Sequence, residues 1–240
     1  MAAVIPAPWR RWLPWALGVL GVLAALGLQT QLYSGQVRTV ATIFMFVALA
    51  LSWNLIGGYT GYASFGQVVF FGLGGYFAAV TMTHLHWSFW VALPLAGLAA
   101  AAYAVVIGIP LLRLRGHYFA IATLGVAEGT REVVINLDGL TGGGGGITVP
   151  TVGAAAATKY LGNDGFYLVY LALAVLALLI TGLVSRSKFG FAMRAIHQDE
   201  DAAAAVGINT TRTKVLTFAL SGLLTGLVGA TYAFQQVTIY

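Results

Sequence analysis

Long apolar runs separated by short polar segments make up most of this chain. The runs are about 17 to 25 residues long, which suits a membrane-crossing α-helix, whereas a barrel strand needs about 9 to 11 alternating residues. The pattern therefore predicts seven membrane helices. The predicted spans are Leu13–Leu28, Thr39–Ile56, Ser64–Thr83, Phe89–Leu112, Tyr118–Leu137, Gly165–Val184 and Val215–Phe234.

The composition excludes an ordinary soluble domain. The chain is 59% hydrophobic and only 8% charged, whereas soluble domains carry about 25% charged residues. In lipid the backbone must satisfy its own hydrogen bonds, which favours helices here. The predicted fold is thus all-α, a polytopic integral membrane helix bundle in which residues 1–240 form a single transmembrane domain. The chain has no cysteine, so disulfides and thiolate chemistry are excluded.

The distribution of lysine and arginine predicts the orientation. With the N-terminus in the cytoplasm, nine of the twelve basic residues fall on the inside, two fall outside, and Arg131 lies within a span. The inside set is Arg10, Arg11, Arg113, Arg115, Arg186, Lys188, Arg194, Arg212 and Lys214, and the outside set is Arg38 and Lys159. This bias is typical of membrane topology, so the net charge of +5 does not indicate nucleic-acid binding.

A polar segment at residues 185–214 interrupts the apolar pattern on the predicted cytoplasmic side. Asp199, Glu200 and Asp201 are acidic residues of the kind favoured at a helix start, and an alanine run follows them. Gly207 can end this helix in the left-handed conformation. The segment therefore predicts a short helix and a sharp turn, either as a docking surface for another protein or as a well-capped connection between spans.

A glycine-rich polar break lies between the second and third spans. It contains Asn54, Gly58, Ser64 and Gln67. Glycines allow close helix approach and unwound backbone near transport pathways, so these residues are candidates for lining the pathway. The alternative is a tight turn between two helices.

Charged side chains within the fifth span form a second candidate for the pathway. Glu128 and Arg131 are three residues apart and can pair on one helix face. Charges at membrane depth usually face the bundle or water. Either a structural ion pair or a pathway role fits the pattern. Glycines spaced four apart, Gly125 with Gly129 and Gly222 with Gly226, predict close packing of a neighbouring helix.

Other motifs exclude chemistry rather than add it. The run Gly142–Gly146 lacks the Lys-Ser/Thr of a Walker loop, so it is predicted to be part of a flexible outer loop at residues 138–164. His84 and His86 have no third ligand candidate nearby, so we predict no metal site. No nucleophile, base and acid set is evident, and we predict that the chain is not an enzyme.

Several separated blocks resemble one known family. The pattern Asp201-Ala202-Ala203-x-x-x-Gly207 is similar to the EAA-x-x-x-G motif of ABC importer permeases, with Asp in place of Glu. The blocks Ser52–Tyr76, Leu114–Ile147 and Phe189–Thr231 resemble, in order, the early-span signature, the central span with its glycine-rich loop, and the coupling loop of branched-chain amino acid permeases, most closely the M-type subunit. The downstream Ile-x-Leu-Pro element of the general motif is not evident.

The resemblance implies a permease subunit of an ATP-driven importer in the bacterial plasma (inner) membrane. Asp201, Ala202, Ala203 and Gly207 would couple it to a cytoplasmic ATPase, and Arg194 would pair with an acidic group there. The implied partners are a second permease subunit, two ATPase subunits that bind the ATP, and an extracytoplasmic solute-binding protein. This chain itself would hold no cofactor.

The implied mechanism is alternating access, and the implied substrates are branched-chain amino acids. Urea or short amides remain an alternative within the same family, and a self-contained channel or secondary transporter is an alternative outside it. Family members usually continue for two or three further helices, so we expect the chain to be a C-terminally shortened member.

Overall fold

The structure is a computed structural model that describes residues 9–149 and 160–239, without the side chains of residues 9–17 and 19. Its helices are α1 (Trp9–Gln29), α2 (Ser34–Asn54), α3 (Gln67–His84), α4 (Phe89–Leu111), α5 (His117–Asn136), α6 (Asp138–Thr141), α7 (Gly162–Arg186), α8 (Lys188–Gln198), α9 (Glu200–Ala205) and α10 (Thr210–Gln236). Two short strands, β1 (Ile147–Thr148) and β2 (Thr238–Ile239), pair antiparallel.

Helix α10 forms the centre of the bundle. It packs against α3 and α4 and also touches α2, while α2 packs against α7. Phe218 of α10 meets Phe70 of α3 edge to face at 5.0 Å, and Phe234 stacks on Phe89 of α4 at 4.7 Å. These ring contacts stabilise the packing of α10 on α3 and α4, because offset and edge-to-face pairs add to the burial of the rings.

Glycines bring α3, α4 and α10 into close contact. A methyl group added at Gly74 of α3 would overlap the backbone of Gly226, and one at Gly229 would overlap the carbonyl oxygen of Phe71. A methyl group added at Gly226 itself would lie 2.5 Å from the Cβ of Ala100 in α4. The close packing predicted at Gly222 and Gly226 is therefore present, since small residues let helix backbones approach each other.

Each predicted span coincides with one long helix, although the helix boundaries differ at the glycine-rich break. Helix α2 continues into one π-helical turn, Leu55–Tyr59, and α3 begins at Gln67 rather than at the predicted Ser64. The chain between these two elements is non-helical, and Gly61 there has a φ of 75°. Ser64 and Gly66 are buried against the bundle in this extended segment.

Four helical segments of the described chain are long and apolar enough to cross a membrane by length and composition: Ser34–Tyr59, Phe89–Leu111, Gly162–Arg186 and Thr210–Gln236. Large apolar side chains such as Phe46, Val106 and Leu183 are exposed on the outside of the bundle, as expected of a surface in contact with lipid. The protein is thus a multi-pass membrane protein built almost entirely of helices. The count of seven spans and the cytoplasmic N-terminus stay predictions.

The glycine-rich segment is more ordered than the predicted flexible loop, in the part that the structure describes. Helix α6 leads into a 3-10 turn, Gly143–Gly145, and then into β1. The hydroxyl of Thr141 donates to the carbonyl oxygen of Val134 at 2.7 Å, and β1 pairs with β2 after α10. Positive φ values at Gly142 and Gly146 explain the glycines, because left-handed backbone favours glycine. Residues 150–159 of the predicted loop lie outside the described residues, and its last three residues belong to α7, which begins at Gly162.

Candidate functional site

Two short helices, α8 and α9, lie at the end of the bundle where α10 begins, and their boundaries follow from capping side chains. The hydroxyl of Ser187 caps α8 by accepting from the N–H of Gly190 at 3.2 Å. The carboxylate of Asp199 caps α9 by accepting from the N–H groups of Asp201 and Ala202, at 2.9 and 3.0 Å. Such caps satisfy N–H groups that have no partner within the helix.

Helix α9 ends in the turn predicted from Gly207. The N–H of Gly207 donates to the carbonyl oxygen of Ala204 at 3.0 Å, and the N–H of Ile208 donates to that of Ala203 at 3.1 Å. These two bonds define a Schellman motif, and the φ of 90° at Gly207 is the left-handed conformation that this motif requires. Asn209 then caps α10 by accepting from the N–H of Arg212 at 2.9 Å.

The predicted coupling residues of α9 divide between its two faces. Ala203 is buried against the bundle, whereas Asp201, Ala202 and Gly207 are exposed. Val206 at the end of the helix is 78% exposed. Ala203 therefore seats the helix, and the other three lie on a small-residue surface that is open to contact.

A buried lysine anchors this helix pair to the rest of the bundle. The side chain of Lys214 is only 4% exposed. Its ammonium group donates to a carboxylate oxygen of Glu200 at 2.7 Å, to the carbonyl oxygen of Leu112 at 2.7 Å, and to the hydroxyl of Tyr62 at 3.0 Å. Tyr62 donates in turn to the other carboxylate oxygen of Glu200. All three N–H donors of the ammonium group thus have acceptors.

A second ion pair lies beside the first. Arg115, between α4 and α5, donates to both carboxylate oxygens of Asp201 at 2.9 and 2.8 Å. This bidentate contact holds the pKa of Asp201 below its usual value and raises that of Arg115. Burial acts to raise the pKa of Glu200, but hydrogen bonds from Lys214 and Tyr62 outweigh it and the net shift is downward. Burial and the hydrogen bond to Glu200 raise the pKa of Tyr62.

Arg194 lies on α8, away from this ion-pair cluster. Its guanidinium group donates to the carbonyl oxygen of Ser185 at 3.1 Å and stacks over the ring of Phe191 at 4.6 Å. An open cleft of about 350 Å³ separates α8 from the end of α2, and its lining residues are Asn54, Gly58, Tyr59, Arg194, His197 and Gln198. The structure thus brings the predicted Asn54 and Gly58 together with Arg194 around one cleft.

A buried polar cluster joins α2, α3 and α10. The amide of Gln67 donates to the hydroxyl of Ser221 at 2.8 Å and accepts from that of Thr225 at 2.9 Å. Ser221 donates to the carbonyl oxygen of Ser52 at 2.6 Å. Ser64 is separate from this cluster: its hydroxyl accepts from the N–H of Gly66 at 3.2 Å. Of the predicted pathway residues, Gln67 is therefore part of the helix packing.

The charges on α5 are paired as predicted, but they face outward. Arg131 donates to Glu128 at 3.0 Å and to Glu132 at 3.5 Å, and these side chains are 62, 69 and 58% exposed. A methyl group added at Gly125 or Gly129 would meet nothing within 4 Å among the described residues. The close packing predicted at this glycine pair is therefore not made within the described chain.

Sequence reasoning missed three residues of the ion-pair cluster: Tyr62, Arg115 and Lys214. Arg115 and Lys214 contributed only to the prediction of topology. A lysine followed directly by the apolar run from Val215 was the one available signal, because a charge at the edge of a membrane span requires a partner. The side-chain partners of Lys214 lie 14 and 152 residues away. Arg115 lies 86 residues from Asp201, and no local pattern reveals contacts between such distant segments.

The fold and this site define a helical membrane protein with a capped helix pair at one end. Residues 35–240 match the family described as "Branched-chain amino acid transport system / permease component". Because the match covers most of the chain, the protein belongs to this family. No solved structure matches the chain.

Among curated relatives, the chain is 33% identical over 225 residues to the high-affinity branched-chain amino acid transport system permease protein LivM of Salmonella typhimurium, covering 84% of this chain and 53% of the relative. It is 32% identical over 221 residues to LivM of Escherichia coli, covering 82% and 52%. A probable LivM of Methanocaldococcus jannaschii is 22% identical over 228 residues, covering 81% and 66%. The chain spans about half the length of the first two relatives.

Proposed function

We propose that this protein is the permease subunit of an ATP-driven ABC importer in the bacterial plasma (inner) membrane. It moves branched-chain amino acids by alternating access and performs no chemistry on them. The full importer contains a second permease subunit, two cytoplasmic ATPase subunits and an extracytoplasmic solute-binding protein. Membership of the permease family and the printed function of the LivM relatives support this proposal.

The observation that carries the proposal is the exposed surface of α9. Asp201, Ala202 and Gly207 lie on the open side of a helix whose two ends are capped and whose inner side is seated through Ala203. Alanine and glycine leave a shallow surface, so a partner protein can approach the backbone closely. A helix held this firmly transmits a push from an ATPase subunit to the bundle instead of deforming under it.

Arg194 takes a supporting role in this proposal. Its contacts with Ser185 and Phe191 orient the guanidinium group beside the short helices while leaving it exposed. Arginine forms directed, bidentate contacts with carboxylates, so an acidic residue of the ATPase subunit is the partner that we assign to it.

The exposed face of α5 is where we assign the second permease subunit. Glu128 and Arg131 lie exposed in the second half of α5, and ionisable groups in the predicted span require protein or water around them. Gly125 and Gly129 leave room for a second helix to pack closely. A subunit boundary at α5 provides surroundings for the charged groups and a helix to pack on the glycines. It also makes Glu128 and Arg131 candidates for lining the pathway between the two permeases.

The test of ATPase docking uses Gly207. The chain is expressed with its second permease and ATPase subunits, and the complex is purified through a tag on the ATPase. We expect the unchanged chain to co-purify. Gly207→Leu should insert into the membrane but reduce uptake to near background, because a bulky residue at φ 90° strains the turn and projects from the docking surface.

Gly116→Leu is the matched control, since Gly116 also has a positive φ (58°) and open space around it but lies in the turn between α4 and α5. It should retain most of the uptake. Normal uptake by Gly207→Leu, or uptake that needs neither ATP nor the ATPase subunits, would contradict the proposal and favour a self-contained channel or secondary transporter. Urea or short amides as the transported solutes would revise only the substrate.

A further inference from the structure

We infer that Lys214 is a positioning residue that makes α9 move as one body with the ends of α3 and α4. The contacts of its ammonium group with Glu200, Tyr62 and the carbonyl of Leu112 are here called the Lys214 tether. The inference rests on the proposed function, because it concerns how a movement imposed on α9 reaches the membrane helices.

The tether joins four separate elements at one atom. Glu200 is the first residue of α9, Lys214 lies in the first turns of α10, and Leu112 directly follows α4. Tyr62 lies in the non-helical segment that leads into α3. The distances of 2.7, 2.7 and 3.0 Å from the Lys214 nitrogen mean that none of the four can shift far alone without breaking a charged hydrogen bond.

Burial makes these bonds stiff. The side chains of Lys214 and Glu200 are 4 and 14% exposed, so water cannot readily replace a lost partner, and an unpaired charge there is strongly unfavourable. The ring of Tyr62 also lies under the ammonium group, 4.7 Å from it, and packs edge to face on Phe119 of α5 at 5.2 Å. The contact with Tyr62 thus extends the tether to α5.

The neighbouring ion pair has a different character. Arg115 and Asp201 are 60 and 77% exposed, so water can compensate for their separation and the pair contributes little rigidity. Asp201 is therefore free to exchange Arg115 for a group on a partner protein, while Glu200 stays bound to Lys214. In this arrangement the adjacent carboxylates of α9 have different roles. Asp201 faces the partner protein, and Glu200 anchors the helix to the bundle.

The test measures uptake per ATP hydrolysed in proteoliposomes that contain the full importer. The variants are Tyr62→Phe and the double variant Glu200→Gln/Lys214→Met, which removes both buried charges together and so leaves neither unpaired. We expect the ATPase subunits to remain bound and the ratio to fall at least about fivefold, the lower end of typical coupling between sites. Arg212→Met, an exposed basic residue on the same helix, is the matched control and should keep the ratio.

A second measurement tests the tether without any partner. The chain has no native cysteine, so spin labels on Leu114→Cys and Val206→Cys report the distance between the α4–α5 turn and the end of α9. The distance distribution should be narrow in the otherwise unchanged chain and broad in the double variant. If the ATPase subunits do not bind even the unchanged chain, the proposed function fails, and the spin-label result alone decides the tether.

Two results from the full importer would overturn the inference. One is an unchanged ratio in the double variant, because α9 would then transmit its movement without the tether. The other is a reduced ratio caused by loss of bound ATPase, because the residues would then belong to the docking surface. An unchanged distance distribution in the chain alone would also overturn it.

Discussion

Helices α10 and α5 carry the same two features in opposite surroundings. Each has a pair of glycines spaced four apart, and each has ionisable side chains. On α10 the glycine pair faces α4, with the Cβ of Ala100 2.5 Å from a methyl group added at Gly226, and Lys214 is buried with its partners. On α5 the space beside Gly129 is open within the described chain, and Arg131 is 62% exposed.

The same sequence pattern can therefore stabilise the fold of one chain or contribute to contacts between subunits. A glycine pair predicts a close neighbour, and a charge in an apolar run predicts a partner. Neither pattern indicates whether the contact comes from the same chain or from another subunit. On α10 the close neighbour and the charge partners come from the same chain. On α5 the glycine pair has no close neighbour and the charged side chains are exposed within the described chain. For this reason we assign the second permease subunit to that face.

The largest expected effect comes from the two basic side chains. Lys214→Met removes the shortest ion pair of the mostly buried Glu200 carboxylate, which keeps Tyr62 and the more distant Arg115 at 3.9 Å, and this should lower the free energy of unfolding by about 3 kcal/mol. Arg131→Met should change it by less than about 1 kcal/mol, because the ion pair it breaks is exposed. Denaturant unfolding of both variants in detergent measures the difference, and similar losses would mean that the two helices do not differ as described.

The glycines give the next largest difference. Gly226→Ala places a methyl group against Ala100 and should cost about 2 kcal/mol through overpacking. Gly129→Ala should be neutral or slightly stabilising in the isolated chain, since alanine favours a helix by up to about 1 kcal/mol. Unfolding midpoints of the two variants decide this, and a destabilised Gly129→Ala chain would show that α5 has a neighbour within the chain itself.

The smallest effect is a dependence on pH. The pKa of Glu200 is lower in the folded protein than its ordinary value of 4.5, so its charge stabilises the fold fully above that value. This contribution is lost as the pH falls through the lowered pKa of the folded state. The unfolding midpoint should therefore fall in acid less for Glu200→Gln than for the unchanged chain. Equal acid sensitivity in the two proteins would contradict the assigned role of Glu200.

Most of the fold was predictable because it depends on local pattern. The apolar runs located the seven long helices of the described residues. The acidic residues from Asp199 to Asp201 indicated the start of α9, and Gly207 indicated the turn that ends it. The start of α3 was predicted three residues early, at Ser64, because apolarity alone cannot distinguish a buried extended segment from a helix. The order in the glycine-rich segment depends on pairing of β1 with β2, which lies about ninety residues away.

The candidate site was predictable only in part, because some of its residues depend on contacts between distant segments. Asp201, Ala202 and Gly207 were coupling candidates through the resemblance to importer permeases; they are exposed, and their coupling role stays a prediction. The burial of Ala203 and the roles of Tyr62 and Lys214 depend on contacts between distant segments. Gln67 was a pathway candidate because an amide in a bundle needs partners, and its partners proved to be Ser221 and Thr225 within the helix packing.

If this chain serves an ATP-driven importer, uptake must depend on ATP and on this chain, and a reconstituted system measures both dependences. The chain is reconstituted with its second permease subunit, its ATPase subunits and its solute-binding protein in proteoliposomes that hold ATP on the ATPase side. We expect radiolabelled leucine to accumulate inside the liposomes only when ATP, the binding protein and this chain are all present. Equilibration of leucine without ATP, or accumulation that is unaffected by omitting this chain, would contradict it.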